Sequence, residues 1–179
     1  MSKFNVLTLG EFIHQEGMDI ALRSFAELYH DVTSKHQKQM RLAMISKGIL
    51  SDYIQDQIHE LKINDAIEIV PWSEQEAIED WYEKASIMLL PSIDNISKLV
   101  SESFSFSLPV VCYENEQLHD IIDQSCGMMI DYGNTPQNIL NFSEVLKMLY
   151  FDPEARKILK KGANRKYETK FSWGFSKAS

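Results

Sequence analysis

Two carboxylates flank one strand-to-helix junction of this 179-residue sequence, and they are its best candidates for chemistry. An apolar run ends at Pro91-Ser92, a short polar loop carries Asp94, and Glu102 follows eight positions later in a stretch of helical period. In an α/β protein the ligand lies beyond the carboxyl ends of the strands, in loops of this kind. Asp94 and Glu102 therefore mark the candidate ligand site.

Each carboxylate also has an ordinary structural interpretation. An aspartate at a helix entry often accepts hydrogen bonds from backbone amides, and Asp94 fits that role as well as it fits a ligand role. Glu102 is the stronger functional candidate, and a solvated helix surface is its alternative. Ser101-Glu102-Ser103 lacks a partner pattern for hydrolase chemistry, and His14 and His119 lack one for acid–base work.

Short aliphatic and β-branched runs alternate with longer stretches of helical period along the chain. This pattern predicts strands over Phe4 to Leu9, Arg41 to Ser46, Ala66 to Val70, Ser86 to Leu90, Val110 to Tyr113 and Met128 to Asp131. It predicts helices over Gly17 to His36, Leu50 to Leu61, Glu74 to Ala85, Lys98 to Phe106, Glu116 to Ile122, Asn138 to Leu149 and Pro153 to Lys170. Strict alternation implies right-handed crossovers, so we expect a doubly wound, Rossmann-like α/β fold with a parallel sheet covered by helices on both faces.

Composition limits the class of protein. A hydrophobic content of 44% supports one core, so residues 1–179 are expected to form a single domain. The net charge of -8 disfavours nucleic acid or an anionic membrane surface as a partner. No apolar run approaches the ~20 residues of a membrane span, and the N-terminus lacks a signal-peptide pattern. Cys112 and Cys126 lack metal-ligand spacing and are expected to pack in a reducing compartment, so we predict no metal.

Several segments occur in the order typical of one enzyme family. The acidic junction resembles a pattern of Pro-Ser, Glu-Gly-Phe-Gly and a second Glu. The other matching segments are Leu7-Thr8-Leu9-Gly10, Leu108-Pro109-Val110-Val111, Cys126-Gly127-Met128-Met129 and Phe171-Ser172-Trp173. Together they resemble the C-terminal, donor-binding half of a GT-B glycosyltransferase, from the group 1 family of retaining enzymes that use nucleotide sugars.

The resemblance implies a function for the chain. It would be the donor-binding domain of a glycosyltransferase that moves a sugar from a nucleotide sugar to an acceptor glycan or lipid-linked acceptor, as in cell-surface polysaccharide biosynthesis. An N-terminal acceptor-binding domain would be missing, so we expect the isolated chain to be inactive. The nucleotide sugar is the substrate, and the family implies no cofactor. The expected location is cytoplasmic, at the inner membrane surface through the missing domain.

The resemblance also implies roles for particular residues. Asp94 takes the place of the catalytic acidic residue that faces the donor sugar, and Glu102 takes the place of the carboxylate that holds the ribose. The remaining donor-binding positions, for the diphosphate and the base, are Ser97, Lys98, Leu99, Pro71 and Trp72. A neighbouring tryptophan, Trp81, is expected to pack rather than to bind the base.

Two positions depart from the family pattern. The family has an arginine and a lysine aimed at the diphosphate where this chain has Glu11 and Glu16. Replacing two cations by two anions changes the local charge by four units, which disfavours diphosphate binding. Lys47 and Lys98 are alternative cations, although solvated lysines are commoner. The departures favour a second hypothesis, a degenerate non-catalytic relative that serves as a protein-interaction module, and both hypotheses stay open here.

Overall fold

The structure, a computed structural model, describes residues 3–11, 15–47, 52–92 and 96–171. The strands are β1 (Phe4–Glu11), β2 (Met40–Lys47), β3 (Ile67–Pro71), β4 (Ile87–Leu90), β5 (Val110–Tyr113) and β6 (Gly127–Ile130). The helices are α1 (Gln15–Asp31), α2 (Ser34–Gln37), α3 (Asp52–Glu60), α4 (Gln75–Lys84), α5 (Ser97–Ser105), α6 (Thr135–Phe151) and α7 (Pro153–Lys166). Short 3-10 helices cover Asn64–Ala66 and Glu116–Leu118, and a π-helical turn covers Tyr167–Phe171.

The six strands form one parallel sheet in the order β3-β2-β1-β4-β5-β6. This order confirms the predicted doubly wound α/β fold, because the chain grows outward from β1 in one direction and from β4 in the other. The register of the sheet aligns the carboxyl ends of β1, β2 and β3. Gly10 pairs with Ser46, and Ser46 pairs with Pro71. None of the helices that the structure describes is long and apolar enough to cross a bilayer.

Both faces of the sheet are buried, as a parallel sheet requires. On β1, Phe4 and Val6 enter a core on one face, which includes side chains of α1 and α6. Leu7 and Leu9 enter a second core on the opposite face, with side chains of α4 and α5. The helices that follow β1 and β4 therefore cover opposite faces of the sheet.

Two predicted helices differ from the observed ones. The helix expected from Gly17 to His36 divides at Val32-Thr33, because the Thr33 carbonyl starts a new turn by accepting hydrogen bonds from the amides of His36 and Gln37. The helix expected from Glu116 to Ile122 is only a 3-10 turn over Glu116–Leu118. Its carbonyls are used in tight turns, since the Leu118 carbonyl accepts from two successive amides at 2.9 and 2.7 Å.

Helix α7 is anchored to the turn that precedes β6. Gly162 packs so closely that a Cβ atom there would lie 1.8 Å from the Ser125 carbonyl oxygen. Near the end of the helix, Lys166 Nζ lies 2.8 Å from Asp123 Oδ2, and the Ser125 amide donates to the other carboxylate oxygen at 2.8 Å. Hydrogen bonds from Lys166 and Ser125 hold the pKa of Asp123 well below its usual range.

The depressed pKa of Asp123 predicts a pH-dependent contribution to stability. Unfolded aspartate titrates at about 3.9, so the stabilisation is fully present above about pH 4 and is lost progressively as the pH falls toward the lower folded-state pKa. We expect Asp123→Asn to lower the free energy of unfolding by about 1 kcal/mol at neutral pH, a modest value because the carboxylate is half-exposed. Urea denaturation of both proteins at neutral pH and at about pH 3 measures the difference.

The matched control is Asp120→Asn, which removes an exposed carboxylate from the preceding turn of the chain. It should leave the free energy of unfolding within about 0.5 kcal/mol of that of the parent at both pH values. A deficit of Asp123→Asn that is equally large at low pH would contradict the assignment to the ionised carboxylate.

Candidate functional site

The strand order places the candidate site between β1 and β4. These neighbouring strands begin the two halves of the sheet, and their following helices lie on opposite faces. A crevice forms where such connections diverge, and ligands of doubly wound proteins bind there. Residues 12–14 and 93–95 of the two connections, including the predicted catalytic Asp94, lie outside the described residues.

The first turn of α1 lies directly against the end of β4. A Cβ atom at Gly17 would be 2.8 Å from the Pro91 carbonyl oxygen, closer than real Cβ atoms approach a backbone oxygen. Only glycine permits this contact, so Gly17 sets the distance between the N-terminus of α1 and the β4 connection. Sequence analysis placed Gly17 at the start of the first helix but missed its contact with Pro91.

Helix α5 presents its N-terminus to the same crevice. Its N-cap residue is Ile96, which supplies no side-chain cap, and Ser97, Lys98 and Leu99 form the first turn. The Ile96 side chain is buried and fixes the helix start against the sheet. The amides of a helical first turn lack intrahelical acceptors and carry partial positive charge, so they are suited to an anion.

Lys98 adds a full positive charge to that first turn. Its side chain is exposed, and a cation near a helix N-terminus is unfavourable because the helix dipole already makes that end positive. A bound anion reverses the sign of this interaction, since the lysine and the dipole then attract the same group. The first turn of α5 thus has the charge arrangement of an anion site.

Glu102 lies one turn further along α5, with its side chain half-buried. It faces Tyr82 of α4, a residue only 1% exposed whose ring stacks on Phe106 at a centroid separation of 4.8 Å. Burial, and then the neighbouring Glu102 carboxylate, raise the pKa of Tyr82 far above its ordinary value. The hydroxyl therefore keeps its proton beside Glu102. Tyr82 was missed in the sequence analysis. The available signal was its position four residues after Ile78, which places both side chains on the same buried face of α4.

Pro71 and Trp72 lie at the carboxyl end of β3, an edge strand of the sheet. Strands β2 and β1 separate it from β4, which precedes α5. The Pro71 carbonyl accepts a hydrogen bond from the Glu74 amide at 3.0 Å, and this turn leaves the Trp72 side chain 38% exposed. Three strand spacings separate β3 from β4, roughly 14 Å, which an extended ligand must span to reach both. Trp81, by contrast, is buried and donates to Glu68 at 3.3 Å, as expected of a packing residue.

The two positions that depart from the family pattern are defined by their backbone alone. Glu11 ends β1 level with Lys47 of β2, and Glu16 lies in the first turn of α1. Their side chains lie outside the described part of the structure. Among the described residues, no group of three or more His, Cys, Asp and Glu side chains is placed to hold a metal ion.

In doubly wound sheets, a helix N-terminus at the switch point is a common place for phosphate-bearing ligands to bind. The sequence matches the family of group 1 glycosyl transferases over residues 3–147, and the chain belongs to that family. This match confirms the resemblance found in the sequence.

Known relatives agree with this assignment. The D-inositol 3-phosphate glycosyltransferase of Streptosporangium roseum is 26% identical over 166 residues, which cover 88% of this chain and 37% of that protein. The fold matches the pneumococcal O-GlcNAc transferase GtfA, in complex with UDP and GlcNAc, at a TM-score of 0.78 and 15% identity, over 93% of this chain and 33% of that one. The chain therefore spans about a third of the length of these two proteins.

A third structure covers a piece of similar length. It is the C-terminal domain of the group 1 glycosyl transferase LpcC from Francisella tularensis, matched at a TM-score of 0.77 and 15% identity. The match covers 95% of this chain and 87% of that domain. At this level of identity the structural matches show the fold alone, which is that of GT-B glycosyltransferases.

The close contact at Gly17 leads to a stability prediction. Gly17→Ala forces the first turn of α1 away from the Pro91 carbonyl, because neither backbone can yield without moving a strand or a helix. We expect a loss of about 1–3 kcal/mol in the free energy of unfolding, the usual cost of an overpacked contact. Urea denaturation monitored by circular dichroism measures it.

Gly10→Ala provides the matched control at the same crevice. A Cβ atom at Gly10 would meet only the flexible Met18 side chain, at 3.4 Å from its sulfur atom. Its effect should be clearly smaller than that of Gly17→Ala. Equal midpoints for parent and Gly17→Ala would show that α1 is not held against β4.

Proposed function

We propose that this chain is the donor-binding domain of a retaining group 1 glycosyltransferase. The observation that carries the proposal is the first turn of α5, followed by Glu102, at the switch point of a doubly wound sheet. Residues 1–179 form this domain in the proposal. The enzyme transfers a sugar from a nucleotide sugar, which is its substrate, and the proposal requires no cofactor.

The donor diphosphate is assigned to the first turn of α5. The backbone amides of Lys98 and Leu99 meet the phosphate oxygens, and Ser97 completes the same turn. The leaving diphosphate gains negative charge in the transition state, so preorganised amides and the Lys98 ammonium stabilise it more than they stabilise the ground state. The dipole of α5 acts in the same direction.

Glu102 accepts hydrogen bonds from the ribose hydroxyls in this proposal. The carboxylate is supported on its buried side by Tyr82, which keeps its proton and limits the space in which Glu102 moves. The base extends toward β3, where Pro71 and the exposed Trp72 ring offer an apolar surface for stacking. Asp94 is assigned to the donor sugar, in the connection between β4 and α5.

The acceptor is assigned to a second, N-terminal domain outside this chain. The length match to the LpcC C-terminal domain supports this arrangement, as does the coverage of about a third of the longer relatives. Transfer requires a closed cleft that excludes water, and one domain supplies only half of it. We therefore propose that the isolated chain binds the donor without turning it over.

The cellular role follows from the proposed chemistry. An acceptor glycan or lipid-linked acceptor would place the enzyme in cell-surface polysaccharide biosynthesis. We assign it to the cytoplasm, with contact to the inner membrane surface through the second domain. Glu11 and Glu16 reduce the positive potential beside the diphosphate, so the isolated domain should bind its donor weakly.

Calorimetric titration with a panel of nucleoside diphosphates and nucleotide sugars tests the proposal. UDP is the first ligand, because the GtfA structure and that of HepE from Anabaena are complexes with UDP. We expect saturable binding that Glu102→Gln weakens about tenfold or more. A glutamine side chain offers one neutral oxygen to the two ribose hydroxyls, whereas the carboxylate offers two charged oxygens that accept hydrogen bonds.

Glu144→Gln is the matched control, an exposed glutamate on α6 that faces away from the crevice. It should bind the ligand as the parent does. Equal binding by Glu102→Gln and the parent would contradict the ribose assignment. An absence of heat with every ligand would contradict donor binding by this chain and favour the interaction-module hypothesis.

A further inference from the structure

A groove lined by lysines lies at the end of the sheet opposite the proposed donor site. Its lining residues are Ser107, Lys157, Lys160, Lys161 and Asn164. Ser107 precedes β5 and so marks the amino edge of the sheet, whereas the donor-site connections follow the carboxyl ends of β1, β3 and β4. The groove is therefore a separate surface, about one strand length from the crevice.

The positive charge of this groove is largely uncompensated. Lys157 pairs with Glu154 at 2.7 Å on the exposed surface of α7. The side chains of Lys160 and Lys161 make no ion pair or hydrogen bond within the part of the chain that the structure describes. Lys157 and Lys161 are four residues apart on one helix face, a spacing at which like charges destabilise a helix by a few tenths of a kcal/mol.

The nearby carboxylates are already engaged. Asp123 is bound to Lys166 at the end of α7, and Glu154 is bound to Lys157 near its start. The described residues that line the groove include no acidic side chain. In a chain with a net charge of -8, the groove is thus a local reversal of sign.

Two neutral groups in the lining are also suited to an anion. Ser107 has a left-handed backbone conformation, with φ of 56°, at the turn after α5. Its hydroxyl oxygen accepts a hydrogen bond from the Asn164 side-chain amide at 3.1 Å. Because that oxygen acts as the acceptor, the hydroxyl proton remains available to a group bound between Ser107 and the lysines.

We propose that this groove binds phosphate groups, at a site separate from the donor crevice. Lys160 and Lys161 supply point charges, and the Ser107 hydroxyl supplies a directed hydrogen bond. A free phosphate ester and an anionic phospholipid headgroup share this chemistry. The acidic net charge of the chain disfavours wide contact with an anionic membrane, so a headgroup would have to enter the groove itself.

The test compares the parent with the double variant Lys160→Gln/Lys161→Gln. Inorganic pyrophosphate is titrated while the backbone amide chemical shifts of Ser107 and Asn164 are followed, so that binding in the groove is separated from binding at the diphosphate site proposed on α5. Binding to phosphatidylglycerol vesicles is measured by co-sedimentation against pure phosphatidylcholine vesicles. We expect the parent to bind at least one of these two anionic probes, and the double variant to bind it about tenfold or more weakly. Binding of pyrophosphate alone identifies a free phosphate ester, and preference for the anionic vesicles identifies a headgroup.

Two controls separate this site from others. Lys35→Gln/Lys38→Gln removes the same charge from exposed lysines at α2 and should bind as the parent does. Glu102→Gln should leave groove binding unchanged, because that residue belongs to the proposed donor site. Equal losses in the two lysine variants, no loss in Lys160→Gln/Lys161→Gln, or no binding of either probe to the parent would overturn the proposal.

Discussion

Right-handed crossovers are the constraint on which this structure depends. Two neighbouring parallel strands are joined by a crossover helix that packs on the sheet, and this connection is right-handed. Because the chain winds outward from β1 and from β4 in opposite directions, α1 and α5 are forced onto opposite faces. Their N-termini then meet at the carboxyl edge between the two strands, and the crevice is a consequence of topology rather than of particular side chains.

The sequence decides how closely that crevice is built. Gly17 allows the first turn of α1 to touch the β4 connection, and the buried Ile96 fixes the start of α5 without capping it. Lys98 lies in the first turn of α5, where the helix dipole already carries positive charge. A lysine there is unfavourable unless an anion binds beside it. The groove on α7 lies at the amino edge of the sheet, and two of its three lysines, Lys160 and Lys161, form no ion pair among the described residues.

Much of the fold was predictable because strand and helix periods differ and alternate strictly in this chain. The failures have local causes. Thr33 begins a new helix where the hydrophobic period continues, and the Leu118 carbonyl closes tight turns where a helix was expected. The hydrophobic period does not determine which carbonyl accepts the hydrogen bond of a given backbone amide. It therefore does not predict where these helices end.

The site was predictable in part. Glu102, Lys98 and Trp72 were assigned from their positions in the family pattern, and their roles stay predictions. The contact of Gly17 with Pro91 joins residues far apart in sequence, and the approach of Tyr82 to Glu102 joins two helices. Contacts of this kind depend on packing distances that one sequence does not reveal.

The central claim is that a nucleotide diphosphate binds at the first turn of α5. Backbone amide chemical shifts of the isotope-labelled chain, followed during titration with UDP, test it most directly. The account predicts that the amides of Lys98 and Leu99 shift most, together with that of Gly17, while the amide of Glu144 on α6 stays unchanged. Saturable binding of UDP that leaves the Lys98 and Leu99 amides unmoved would contradict it.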